Sequence, residues 1–341
     1  MRFKYLLILI SSVFIIACSE EPVAPSVEDE VFGFEKPPHF PEPEYDFDKN
    51  PITRKGFELG KRLFMDGILS RDNTISCASC HSTGSAFTQH GHDLSHGIED
   101  RLTMRNSQPV QNLAWNTSFA WDGGVDHLDL FAPLPIENPV EMDDELSAVL
   151  EKLRQHKDYP ELFAEAFADG EISTANFLKA LSQFQLMCIS ANSKYDNYLL
   201  GNVSLTTNEL NGLETFEAKC TTCHSGVLQT DNSFRNNGLE VDNAEDLGRA
   251  LITEQDTDNY KFRVPSLRNL AYTFPFMHDG RFQTLDEVLE HYTQGIIQSE
   301  TLDPQLKDGI DLSEAEKENL KAFLNTLNDE SFVKNKDIRV F

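Results

Sequence analysis

The pattern of apolar and polar positions reads as a succession of short amphipathic helices. In DDELSAVLEKLRQH, Leu146, Val149, Leu150 and Leu153 recur at i, i+3, i+4 and i+7 behind an aspartate suited to cap the first turn. STANFLKALSQF repeats the spacing with Phe177, Leu178, Leu181 and Phe184. RKGFELGKRLFMDG and TTNELNGLETFEAKC read as further helices, each ahead of a cysteine-rich stretch, and TLDEVLEHY opens with Thr284 and Glu287 at capping-box spacing. No long alternating run argues for a strand, so the expected fold class is mainly α.

The ends of the chain follow different rules. Arg2 and Lys4 precede an apolar run over residues 5–17 that is too short to span a bilayer with ordinary flanks and reads as an export signal. The run ends IIAC, similar to a bacterial lipobox, which would make Cys18 the lipidated first residue of the mature chain. An ordinary signal peptide cut at a nearby small residue is the alternative. Residues 18–50 are rich in Pro and acid and read as an unfolded tether. The expected location is the periplasm, held to a membrane by lipid alone, with display at the cell surface left open. With 56 acidic and 29 basic side chains the net charge is −27, which argues against nucleic acid and anionic membrane as partners and suits a basic protein steered in by charge.

The cysteines carry the chemistry. TISCASCHSTG holds Cys77, Cys80 and His81, and AKCTTCHSG holds Cys220, Cys223 and His224 at the same C-x-x-C-H spacing. Two thiols at this spacing can each form a thioether with a haem, and the adjacent imidazole can serve as the axial ligand. A four-cysteine zinc knot, a redox dithiol or a disulfide would each leave the repeated histidine unexplained. The chain is therefore expected to bind two c-type haems in two cytochrome c-like helical domains, residues 51–200 and 201–341, joined near SANSKYDNYLLGN. Cys188, in the apolar stretch FLKALSQFQLMCIS, is expected to be a buried thiol.

The long polar and aromatic segment after the first motif suggests more than electron carriage. LGKRLFMDGILSRDNTISCASCH, RNS…NLAWN…WDG, PIENPVEM and VPSLRNLAYTFPFMHDGRFQTLDEVLEHY resemble the bacterial di-haem cytochrome c peroxidases and their relatives, the family that includes MauG. The resemblance spans about residues 51 to 330. It implies a peroxide-reactive N-terminal haem on His81 and an electron-receiving C-terminal haem on His224. Glu141 matches the distal carboxylate, a group able to carry a proton from one peroxide oxygen to the other. Trp121 matches an electron path between the haems. Phe131 stands where the family places a glutamine, which implies a drier pocket. His96 is the nearest match to a removable loop ligand of the first haem, with His90 and His92 as alternatives and solvent-facing loop histidines that ligate nothing as the remaining one. Asn106, with the carbonyls of Thr273 and Pro275, matches an interdomain calcium site. Tyr292 occupies the position of the second haem's sixth ligand. Met277 and His291 are its rivals, with a packed aromatic beside open iron as the remaining alternative, although helix phase turns His291 away from the face of Tyr292.

The implied reaction is reduction of hydrogen peroxide by a small basic donor, a cytochrome c or copper protein. MauG-like oxidation of a partner protein's side chain and non-catalytic electron carriage remain as alternatives, and a homodimer is left open.

Overall fold

The computed structural model describes residues 32–89, 91–241 and 245–340. Cys18 and His90 lie outside the described residues. Met1–Phe32 and Gly33–Phe341 form separate units, and the second contains both C-x-x-C-H motifs.

The helices are α1 (Arg54–Met65), α2 (Cys77–Cys80), α3 (Pro133–Glu137), α4 (Leu146–Gln155), α5 (Tyr159–Ala166), α6 (Thr174–Leu186) and α7 (Lys194–Leu199) in the first half. In the second half come α8 (Thr207–Lys219), α9 (Ala250–Thr253), α10 (Leu285–Glu290), α11 (Glu314–Asn325) and α12 (Glu330–Val333). The described strands are two residues long: β1 (Phe234–Arg235) pairs antiparallel with β2 (Phe262–Arg263), Phe234 opposite Arg263.

Each half is built on one crossed helix pair. α1 turns Phe57, Leu59, Leu63 and Phe64 onto α6, whose Phe177, Leu181 and Phe184 are buried in return. α8 packs on α11 through a cluster of Phe216, Leu289, Leu320, Phe323, Leu324 and Leu327. A glycine sets the closeness of each crossing. A Cβ on Gly60 would lie 1.9 Å from the Ala180 carbonyl oxygen, and one on Gly212 would lie 1.9 Å from that of Asn319. Any side chain there would force the helices apart. The halves are thus two versions of one helical unit, each with its cysteine motif directly after or near the crossing.

Several expectations need correction. Residues 33–50 are packed, because their aromatics find apolar surface that composition does not reveal. Phe40 and Tyr45 are buried, Phe40 packs edge-on against Trp115 with centroids 4.9 Å apart, and Trp115 donates to the Pro41 carbonyl at 2.9 Å. The aspartate expected to cap α4 does not do so: Glu145 holds that position without a side-chain cap, while Asp144 pairs with Lys152 at 2.7 Å. The second domain does not keep its whole tail. Val340 donates to Thr83 at 2.8 Å and Phe332 packs on Phe87, so the C-terminus returns to the first half.

The stretch expected to be a linker is a structural junction. Ser193 and Asp196 form a capping box on α7, and Asp196 is fully buried. Its carboxylate receives Arg268 Nη2 at 2.6 Å and Nη1 at 2.9 Å, and meets His39 Nε2 at 2.8 Å. Burial alone would raise this carboxyl, but the Arg268 and Ser193 contacts outweigh it and hold it at about 2. A depressed carboxyl contributes stability that is complete above its ordinary value of 3.8 and is lost as pH falls through about 2. Removing one partner leaves a buried charge uncompensated. Arg268→Met is therefore expected to cost about 3–5 kcal/mol, measured by chemical denaturation. The gap between the parent and Asp196→Asn should close as pH falls from about 4 to about 2, the span between the two carboxyl values. A parent-like Arg268→Met, or a gap constant with pH, would show that the pair is not the junction.

Candidate functional site

The two motifs fold alike. Cys77 and Cys80 span the single turn of α2, whose capping box is formed by Ser76 and Ser79, and His81 is its C-cap. His81 Nδ1 lies 2.7 Å from the Phe87 carbonyl, and His224 Nδ1 lies 3.0 Å from that of Gln229. A carbonyl only accepts, so each Nδ1 carries the proton and each Nε2 keeps its lone pair for a metal. Burial lowers the pKa of both rings against the pull of backbone carbonyls, which favours neutral imidazole. The same burial pushes the Cys77 thiol up to about 12 and Cys220 to about 11, and raises Cys80 and Cys223. None is a ready thiolate, which argues against a redox dithiol. Among the described residues no group of three or more His, Cys, Asp or Glu side chains is placed to hold a metal ion, so the cysteines form no zinc knot.

Cys77, Cys80 and His81 open into a cavity of about 520 Å³, mostly apolar, which Glu141, Trp121 and Phe131 also line. Half-buried thiols, a free imidazole nitrogen and a large apolar cavity together fit a covalently bound haem. Glu141 is fixed from both sides. Its backbone N–H donates to the Asn138 carbonyl at 3.0 Å, and its carbonyl accepts from Ile98 at 2.8 Å. Asn138 Nδ2 donates to Glu141 Oε1 at 2.7 Å. Burial raises the Glu141 carboxyl, opposed only by that amide bond. A raised carboxyl takes up a proton more readily than an ordinary glutamate, which suits it to proton exchange. Phe131 sits beside Phe119, with centroids 6.3 Å apart, and makes this wall apolar.

Trp121 is held by its indole N–H, which donates to the Asn106 carbonyl at 2.8 Å, and by its own carbonyl, which accepts from Arg263 of β2 at 2.7 Å. Asn106 crosses to the second half: its amide donates to the Pro275 carbonyl at 2.7 Å and its backbone N–H to that of His278, also at 2.7 Å. His96 is not brought to the cavity wall. It pairs with Asp100 at 2.5 Å, its side chain 42 % exposed, and its ring meets His92 at 4.7 Å. Both histidines face a separate surface pocket with Ser79, Ser82 and Gln89. The short 3-10 turn Ile98–Asp100, with Glu99 at φ 54°, directs this loop outward.

At the second motif, Cys220 packs against the α8–α11 core. The Asn237 amide lies 3.4 Å from the Tyr292 hydroxyl and 3.6 Å from the Met277 sulfur, so both candidate ligands converge on one group. Burial raises the Tyr292 hydroxyl, and the proximity of Cys223 and Cys220 adds to the shift. His291 is turned away, its Nε2 3.0 Å from the Asn237 carbonyl. The helix expected through Tyr292 changes character there. α10 ends at Glu290 and a π-helical turn, His291–Gly295, carries Tyr292, a local widening often found where side chains are aimed at a site. Sequence reasoning left Asn138, Asn237 and Arg263 without a role; only the quoted PIENPVEM held a signal for the first of them.

Paired helical halves, each with a C-x-x-C-H turn whose histidine is set to bind iron, define a two-haem c-type cytochrome. A family model described as di-haem cytochrome c peroxidase matches residues 54–204. The chain is 36% identical over 300 residues to the methylamine utilization protein MauG of Methylorubrum extorquens, covering 86% of this chain and 83% of that protein. It is 30% identical over 319 residues to the cytochrome c551 peroxidase of Pseudomonas aeruginosa, covering 89% and 87%. A solved MauG-like protein associated with microbial copper homeostasis superposes with a TM-score of 0.83 at 33% identity, covering 90% of this chain and 98% of that one. The chain belongs to the di-haem cytochrome c peroxidase family, an oxidoreductase family whose members carry two c-type haems.

Proposed function

We propose that the chain reduces hydrogen peroxide to water outside the cytoplasm, with electrons from a small basic protein, a cytochrome c or a copper protein. The observation that carries this reading is Glu141: a half-buried carboxyl with a raised pKa on the wall of the cavity that holds His81. A pure electron carrier has no use for it. The haem on Cys77 and Cys80 would supply the iron at which peroxide is cleaved, and the haem on Cys220 and Cys223 would supply stored electrons. Glu141 takes the proton of one peroxide oxygen and returns it to the other, so that the departing oxygen leaves as water. Asn138 aims the carboxylate. Phe131 and Phe119 keep competing water from the wall they form. Trp121, anchored to both Asn106 and β2, offers an electron path between the halves.

A second reading is favoured by Tyr292. A buried phenol stays neutral unless a cation holds it as tyrosinate, and iron at the second site would do so. Such a ligand lowers the haem's potential relative to methionine. The chain would then draw its electrons from a partner protein's side chain, as a MauG-like oxidase. Calcium would join the halves through Asn106 Oδ1 and the carbonyls of Pro275 and Thr273, an all-oxygen set suited to a hard cation, with the Asn106 amide turned over from its present bond to Pro275.

Four outcomes test these readings. Glu141→Gln should keep both haems and lose about 10²–10⁴ of peroxide turnover, the scale of acid–base catalysis. Parent turnover should fall as pH drops through the raised Glu141 pKa, because the first transfer needs the carboxylate. Full turnover in the variant, measured with reduced cytochrome c, removes Glu141 from the reaction; no turnover by the parent with any donor protein, even after prereduction, removes peroxide reduction by an electron donor. Tyr292→Phe should change the second haem's spin state and raise its potential while both haems stay attached; parent-like spectra and potential would return the ligand role to Met277. Thorough calcium chelation should slow electron transfer between the haems, and chelated protein with unchanged kinetics and spectra would exclude the calcium site.

A further inference from the structure

Two of the arginines packed inside the fold are matched to carboxylates, and Arg263 is not. Arg105 donates to both oxygens of Asp246 and to Asp122, and Arg268 to Asp196. Arg263 is 7 % exposed and lines the cavity that Cys77, His81 and Glu141 line. Its Nε has no hydrogen-bond partner. The contact of its guanidinium is a long one, Nη1 to Asn232 Oδ1 at 3.4 Å. Among the described residues no carboxylate is paired with it. Burial alone acts on its pKa and lowers it to about 10, so it remains charged at neutral pH. An unpaired buried guanidinium costs several kcal/mol. A fold that pins Arg263 beside Trp121 through a strand hydrogen bond must return that cost from a group that enters the cavity.

We propose that Arg263 is the anion clamp for the propionate carboxylates of the haem attached at Cys77 and Cys80. The planar fork of donors matches a carboxylate, and this pairing is strongest where water is excluded. The cavity that receives the haem also receives the guanidinium, and the carboxylates on its wall are engaged elsewhere, Asp122 by Arg105 and Glu141 by Asn138. The clamp has an electronic consequence. A cation held near the iron opposes the extra positive charge of the oxidised state, so Arg263 makes this haem easier to reduce. Because Arg263 follows Phe262 in β2 and bonds Trp121 through its backbone, it also fixes the haem edge relative to the path between the halves.

The proposal rests on haem attachment and not on peroxide turnover, so the readouts are spectroscopic. Arg263→Gln and Arg263→Lys are purified as two-haem proteins and their haem content is checked by intact mass. Spectroelectrochemistry then gives each haem's midpoint potential, and resonance Raman gives the propionate bending bands. In Arg263→Gln the N-terminal haem should become harder to reduce and its propionate bands should shift, with the C-terminal haem unchanged. Arg263→Lys should retain most of the potential and shift the bands less. Parent-like potential and bands in Arg263→Gln, or a shift confined to the C-terminal haem, would overturn the clamp. Should Arg263→Gln fail to accumulate, the Raman bands of Arg263→Lys decide alone: shifted bands support the clamp and unmoved bands overturn it. An arginine that served only to pack β2 would leave those bands where they are.

Discussion

The buried ion pair between Arg268 and Asp196 is the contact on which the arrangement of the halves depends. Its terms are severe: both side chains are fully out of water, and the attraction between them does little more than repay desolvation. Its effect is geometric. Arg268 also donates to the Val227 carbonyl at 2.8 Å, three residues beyond His224, and lies over the Phe40 ring at 4.9 Å. One guanidinium therefore joins the N-terminal segment, α7 and the loop that carries the second proximal histidine. Gln111 extends the junction, donating to the Arg268 carbonyl and accepting from Asn269. Loss of any member strands a buried polar group, which is why the halves hold one relation.

On that frame the two motifs acquire different surroundings. Attachment is the same in both, down to the carbonyl that orients each imidazole. What differs is the other side. The first motif opens into a wide, mostly apolar cavity whose wall includes a carboxyl with a raised pKa, an indole and a guanidinium that no carboxylate pairs among the described residues. The second faces a phenol and a thioether that share one amide. A broad cavity with a proton carrier suits a substrate; a close set of ligand atoms suits an iron that only changes charge. Asn106 and Trp121 connect the two environments, since the residue that reaches Pro275 in one half also holds the indole in the other.

The C-x-x-C-H motifs and the amphipathic helices were legible in the sequence because each is encoded by local spacing. Period and thioether geometry act over a few residues, so the chain cannot hide them. Resemblance supplied Glu141 and Asn106, and the structure places both where chemistry could use them. His96 lies at the surface beside Asp100 and His92, in a loop where Glu99 has a positive φ, and no periodicity records that placement. Residues 33–50 looked unfolded because composition counts prolines and acids but not the surface waiting for Phe40 and Tyr45.

The sequence by itself determined the two C-x-x-C-H motifs, the histidine in each and the helices that lead into them, since these follow from spacing a few positions apart. Only the tertiary structure decided that a supposed linker is the junction, that the C-terminus belongs with the first half, and that Arg263 enters the first cavity without a partner. Those are facts of long-range packing. They depend on which distant groups are left beside one another once water is excluded, and that cost is set by the assembled interior.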